Sequence, residues 1–206
     1  MSDIKLKNIQ QACLYGIRKS FNEYAKWNNA RLSHAPEYLL NINIAKQLSE
    51  EYGDKYISLE ENVKDIVQEL KIEGNEDFSK NIRIQGKFDI VIWSLKKDRP
   101  KGIIEVKQNI NGFRNIRKDI DRIVSLLKQN SKIKFGISTF FIDYQKKVNS
   151  KEKLIKKIEE IHIELQKHAS GIEIELDFQE ILTESIKNDS EEYSAFAVVL
   201  TLKKAK

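Results

Sequence analysis

Lys87–Gln108, KFDIVIWSLKKDRPKGIIEVKQ, is the stretch from which the fold is read. Phe88, Ile90 and Ile92 alternate with Asp89, Val91 and Trp93, the period-two pattern of a strand. The charged segment Lys96–Gly102, containing Pro100, predicts a turn, and Ile103–Gln108 predicts a second strand. The pair reads as a hairpin. In the second strand Glu105 and Lys107 share one face while Ile104 and Val106 share the other. With the strands antiparallel, Asp89 falls beside Glu105, and Phe88 and Ile90 are buried behind it. Two carboxylates side by side on a rigid sheet offer hard oxygen ligands to a divalent cation. A lysine next to them can orient or help activate a water, while the cation stabilises charge on a phosphate oxygen.

The pattern Asp/Glu-x-Lys occurs three times, at Asp3-Ile-Lys5, Glu69-Leu-Lys71 and Glu105-Val-Lys107. Only the third lies inside an apolar strand, and it follows a strand carrying an interior Asp. Partial burial of two acids and a lysine is costly unless they pair or bind a metal. The competing explanation is a cross-strand salt bridge of Lys107 with the acids, worth little if exposed.

Outward from the hairpin, Leu6, Ile9, Cys13, Ile17, Phe21 and Tyr24 recur at helical spacing and predict a helix over Ile4–Trp27. Ser33-His-Ala-Pro36 ends it and opens a second helix marked by Leu40, Ile44 and Leu48, with Gly53 as its stop. Tyr56–Leu59 predicts a short strand and Val63–Leu70 a short helix or turn. After the hairpin, Ile116, Ile120, Ile123 and Leu127 define a helix over Asn115–Leu127, and KFGISTFFI, Lys134–Ile142, reads as a buried central strand. A helix through Leu154, Ile158, Ile161 and Leu165 precedes closing strands Ile172–Phe178 and Tyr193–Leu202. Trp27 and Trp93 are expected to pack. The order predicts an α/β sandwich, a mixed central sheet flanked by helices, in a single domain spanning residues 1–206.

The hairpin resembles the catalytic hairpin of the PD-(D/E)XK nuclease superfamily, with Asp89, Glu105 and Lys107 on the motif positions and Phe88 where the nominal Pro stands. Gln108 matches a residue found after the lysine in some branches. The resemblance covers about residues 35–145, leaving a helical N-terminal extension and a C-terminal helix and strands. It implies the restriction-endonuclease-like three-layer sandwich and a metal-dependent nuclease acting on DNA. Mg2+, with Mn2+ as a substitute, would be held by Asp89, Glu105 and the Val106 carbonyl, and Lys107 would position the attacking water. The family often adds an acid from a preceding helix; Glu37, in APEYLLNINIAKQL, stands there, with Glu60 as the fallback. Glu in a first helical turn is also favoured by the helix dipole alone.

The charge pattern is compatible with a polyanionic partner. The chain carries 36 Lys+Arg against 31 Asp+Glu, net +5. Between Lys96 and Lys134 there are 12 basic and 4 acidic residues, a local +8; between Gly171 and Glu192 there are 8 acidic and one Lys, a local −7. A basic segment gains from counterion release on phosphates, although solvation of an exposed surface explains charge alone equally well. Arg114, Arg117, Lys118 and Arg122 open the helix after the motif strand and are the expected DNA contacts. Glu173, Glu175 and Asp177 alternate with apolar residues, the signature of a strand with one solvated face that would repel DNA. Specificity is expected from dimerisation or from a partner protein.

Other classes are excluded on composition. With 8 Gly, none clustered, there is no phosphate-binding glycine loop. The single Cys13 forms no internal disulfide or thiolate metal cluster, and His34, His162 and His168 lack ligand spacing. No apolar run reaches the roughly 20 residues of a membrane span and MSDIKLKNIQ has no apolar signal core, so a cytoplasmic protein is expected. Two further readings stay open: a DNA-binding or assembly module that keeps the fold without cleaving, and an interaction subunit with no nucleic-acid role.

Overall fold

The computed structural model describes residues 5–28, 31–52, 57–73, 76–94, 99–129, 132–146, 149–186 and 191–205. Six strands, β1 (Ile57–Asn62), β2 (Lys87–Ser94), β3 (Arg99–Lys107), β4 (Phe135–Lys146), β5 (Ile172–Ile186) and β6 (Glu191–Lys204), form one sheet in the order β1-β2-β3-β4-β6-β5. The predicted hairpin is present. Ile90 lies opposite Ile104 and Val91 opposite Ile103 in antiparallel register. β3 and β4 are parallel, joined through a helix, whereas β4–β6 and β6–β5 are antiparallel, so the sheet is mixed.

Helices cover both faces because the strands are apolar on both. On one side Ile90, Ile92, Ile104, Val106, Ile137 and Phe141 pack against α1 (Leu6–Asn28) and α2 (Glu37–Tyr52). On the other, Val91, Ile103, Phe140, Ile142 and Val198 pack against α3 (Val63–Leu70), α5 (Phe113–Lys128) and α6 (Ser150–His168). This is an α/β fold with a six-stranded mixed sheet between helical layers. Alternation assigns Glu105 and Lys107 to the face of Ile103, beneath α5. Among the described residues no helix is long and apolar enough to cross a membrane.

α1 packs against α2, and Gly16 lies directly against the Ile44 backbone. A Cβ at Gly16 would stand 2.6 Å from the Ile44 Cα and 2.7 Å from its backbone nitrogen, and neither atom can turn away. Gly16→Ala gains up to about 1 kcal/mol of helix propensity, but the backbone overlap outweighs it. A net loss of about 1–2 kcal/mol is expected, read by denaturant unfolding.

Several elements depart from expectation. β3 starts at Arg99, so Pro100 lies within the strand, opposite Trp93 at a register shift between Ile92 and Trp93. A bulge is one of the few places where a sheet tolerates Pro. The turn between the strands (95–98) and the Gly53 stop lie outside the described residues. A short helix, α4 (Glu76–Asn81), was not expected; its one buried side chain, Phe78, sets no period. β5 continues past Phe178 to Ile186, paired to β6 throughout apart from a register shift between Glu180 and Leu182. Trp27 is 65 % exposed rather than packed, whereas the Trp93 Nε1–H donates to Ser58 Oγ at 2.7 Å. Phe88 and Ile90 are both buried but in opposite layers: Phe88 joins the α5 side, under the Arg122 guanidinium, 5.2 Å from the ring centre.

Candidate active site

The β2–β3 ladder gives out just after Ile90 and Ile104, and side chains take over from backbone. One further step of that register sets Asp89 opposite Glu105. Asp89 Oδ2 accepts the Val106 N–H at 2.7 Å, and the Asp89 carboxyl lies close enough to that of Glu105 for the two to interact electrostatically. Two carboxylates held this close repel, and a cation bound by both would relieve that repulsion. Burial pushes both acids up: Asp89 is raised by desolvation against the opposing pull of the Val106 N–H and Lys107, and Glu105, only 2 % exposed, is raised well above the usual carboxylate range despite Arg122.

Lys107 lies next along the same face. Its Nζ is 3.3 Å from Glu37 Oε1, 3.2 Å from the Val106 carbonyl and 3.5 Å from Asp119 Oδ2. Burial alone would lower the ammonium pKa, but Asp119, Glu37, Asp89 and Glu105 together raise it. Glu37 is the first residue of α2, and its Oε2 also accepts the Gln108 N–H at 3.1 Å. Gln108 Nε2 donates to the Leu32 carbonyl at 2.6 Å, tying the 3-10 turn Leu32–His34 to the end of β3. Thus α2 delivers its acid to the motif strand. The fallback Glu60 stands across β1–β2 from Asp89 with a left-handed backbone, φ 57°.

Arg122 requires a correction. It was expected to reach DNA, but its side chain is 1 % exposed and lies beneath the motif. Its Nη1 is 2.9 Å from Glu105 Oε1 and donates to the Lys87 carbonyl at 2.5 Å. The cause is helical phase. Arg122 and Asp119 are three apart on the α5 face that also buries Ile116, Ile120 and Ile123, whereas Arg114, Arg117 and Lys118 face solvent. Asp119 is buried with it, only 3 % exposed. Its Oδ1 meets Arg83 Nη1 at 3.0 Å and lies 3.7 Å from Arg122 Nη2. Arg83 and Asp119 are therefore site residues that sequence reasoning missed, and Arg122 is one whose role it misassigned. The available signal was a charged i,i+3 pair on an otherwise apolar helix face.

The donors fit a hard cation in kind: carboxylate oxygens from Asp89, Glu105 and Glu37 and the Val106 carbonyl. The buried Glu105 Oε1 has no hydrogen-bond partner among the described residues. In the present arrangement Lys107 stands between Glu37 and the acid pair, and among the described residues no three acids, His or Cys are already grouped to hold a metal. The open side is at Lys107 and Glu37, whose side chains are 28 % and 38 % exposed, while the Glu105, Asp119 and Arg122 side chains are at most 4 % exposed. Cys13 is buried in the α1 layer with its thiol pushed up by desolvation, remote from this chemistry. Comparison of the chain with protein-family models, with curated proteins and with solved structures finds no match.

Proposed function

We propose that this chain is a Mg2+-dependent nuclease of the PD-(D/E)XK superfamily, with the restriction-endonuclease-like fold, hydrolysing phosphodiester bonds of DNA. The observation that carries the proposal is Asp89, held on the Val106 N–H beside Glu105, with Lys107 two residues beyond Glu105 on the same strand face. Bound there, the metal would supply charge stabilisation at a phosphate oxygen. Asp89 and Glu105 are its carboxylate ligands, the Val106 carbonyl and Glu37 complete the oxygen set, and Lys107 orients the attacking water. Exposed Arg114, Arg117 and Lys118, on the first turns of α5, would hold the backbone of the substrate by phosphate contacts. A second copy or a partner protein supplies specificity.

Supercoiled plasmid with Mg2+ or Mn2+ tests the reading. The native chain should nick or linearise it, and Glu105→Gln and Lys107→Ala should each abolish cleavage. One observation favours a second reading, a DNA-binding or assembly module that does not cleave: the Lys107 ammonium already engages Glu37 and the Val106 carbonyl. Salt-sensitive plasmid retention without nicking, unchanged in both variants, would select that module.

A further inference from the structure

Of the three oxygens around the Lys107 ammonium, two belong to the proposed metal shell: Glu37 Oε1 at 3.3 Å and the Val106 carbonyl at 3.2 Å. A divalent cation and an ammonium cannot both take these oxygens, because like charges so close repel strongly in a half-buried site. The third oxygen, Asp119 Oδ2 at 3.5 Å, comes from α5 in the opposite helical layer and is no part of that shell. Asp119 is also held in place. Arg83 and Arg122 gather at its Oδ1, which leaves Oδ2 turned to Lys107, and its side chain is 4 % exposed.

We infer that Asp119 is a positioning residue: it retains Lys107 when a divalent cation takes over Glu37 and the Val106 carbonyl. The inference rests on the nuclease reading for its metal site. It explains why a buried carboxylate faces the motif lysine at all, and why it is braced by two arginines. The exchange keeps the ammonium beside the cation, where it orients water, instead of releasing it to solvent.

Mn2+ affinity, measured from the free-ion electron paramagnetic resonance signal, separates this from a plain charge effect. Native protein, Lys107→Met, Asp119→Asn and the double variant are compared. Removing the competing ammonium should tighten Mn2+ about 10-fold, and removing its alternative acceptor should weaken Mn2+ about 10-fold. In the Lys107→Met background, Asp119→Asn should change affinity less than about 2-fold. Equal weakening in both backgrounds, or none in either, would overturn the inference. If Asp119→Asn loses its fold, Arg83→Gln replaces it, since that arginine side chain is 47 % exposed. Loss of a nearby positive charge alone would tighten Mn2+. Loosening of Asp119 should instead weaken it about 3-fold, and only with Lys107 present; tightening, or weakening without Lys107, overturns the inference. Native protein that binds Mn2+ but leaves plasmid intact ends the nuclease reading, while the four affinities still decide the role of Asp119. Four proteins that bind no Mn2+ end both.

Discussion

Arg122→Met should lower folding stability by about 3–5 kcal/mol, the largest loss expected from a single substitution near the site. The guanidinium is fully enclosed: 2.9 Å from Glu105 Oε1, donating to the Lys87 carbonyl and lying over the Phe88 ring. Methionine fills the stem's volume and keeps its apolar contacts. What it removes is the cation, leaving Glu105 and Asp119 buried without it. The apparent midpoint of thermal unfolding should fall by roughly 10 °C. Adding Glu105→Gln should return part of that loss, because the stranded carboxyl is replaced by a neutral group of the same shape. Denaturant titration of the two single variants and the double variant measures the coupling, expected at about 1–3 kcal/mol. A cost below 1 kcal/mol for Arg122→Met would mean that the buried ion pair does not hold the site together.

Asp89→Asn should have the opposite profile, lowering DNA hydrolysis by about 1,000-fold with the midpoint moving by no more than roughly 2 °C. The amide oxygen of Asn can still accept the Val106 N–H that Asp89 Oδ2 accepts at 2.7 Å, so the local backbone arrangement survives. The variant also removes one of two neighbouring acids that repel each other, which relieves rather than strains the fold. It loses the negative charge that the proposed divalent cation would need at position 89. Turnover under metal saturation and unfolding of the same preparation are compared. Retained hydrolysis would remove Asp89 from the metal shell, and a collapse in stability would show that its role is structural.

The contrast between these variants follows what the sequence could and could not reveal. Period-two alternation around Asp89 and the apolar setting of Glu105 were enough to place both acids on one hairpin, because strand geometry converts spacing directly into facing. Glu37 was expected only from the resemblance, which calls for an acid on a preceding helix, and only the folded chain brings it, 70 positions from Lys107, to that ammonium. Arg122 misled because its neighbours Arg114, Arg117 and Lys118 suggested a continuous basic face. One more turn of the helix carries residue 122 into the side that buries Ile116 and Ile120. Arg83 gave no signal at all, since it lies in an irregular segment with φ 54°, and its partner Asp119 is distant in sequence. Pro100 argued for a turn by composition, yet the bulge at Ile92/Trp93 absorbs it within the strand.

Anomalous diffraction from crystals soaked in Mn2+ tests the central claim most directly. A single strong peak is expected between the carboxylates of Asp89 and Glu105, within coordination distance of the Val106 carbonyl, with the Lys107 ammonium moved off Glu37 and onto Asp119. Crystals saturated with Mn2+ that show no peak there, with Lys107 still bridging Glu37 and Val106, would contradict it.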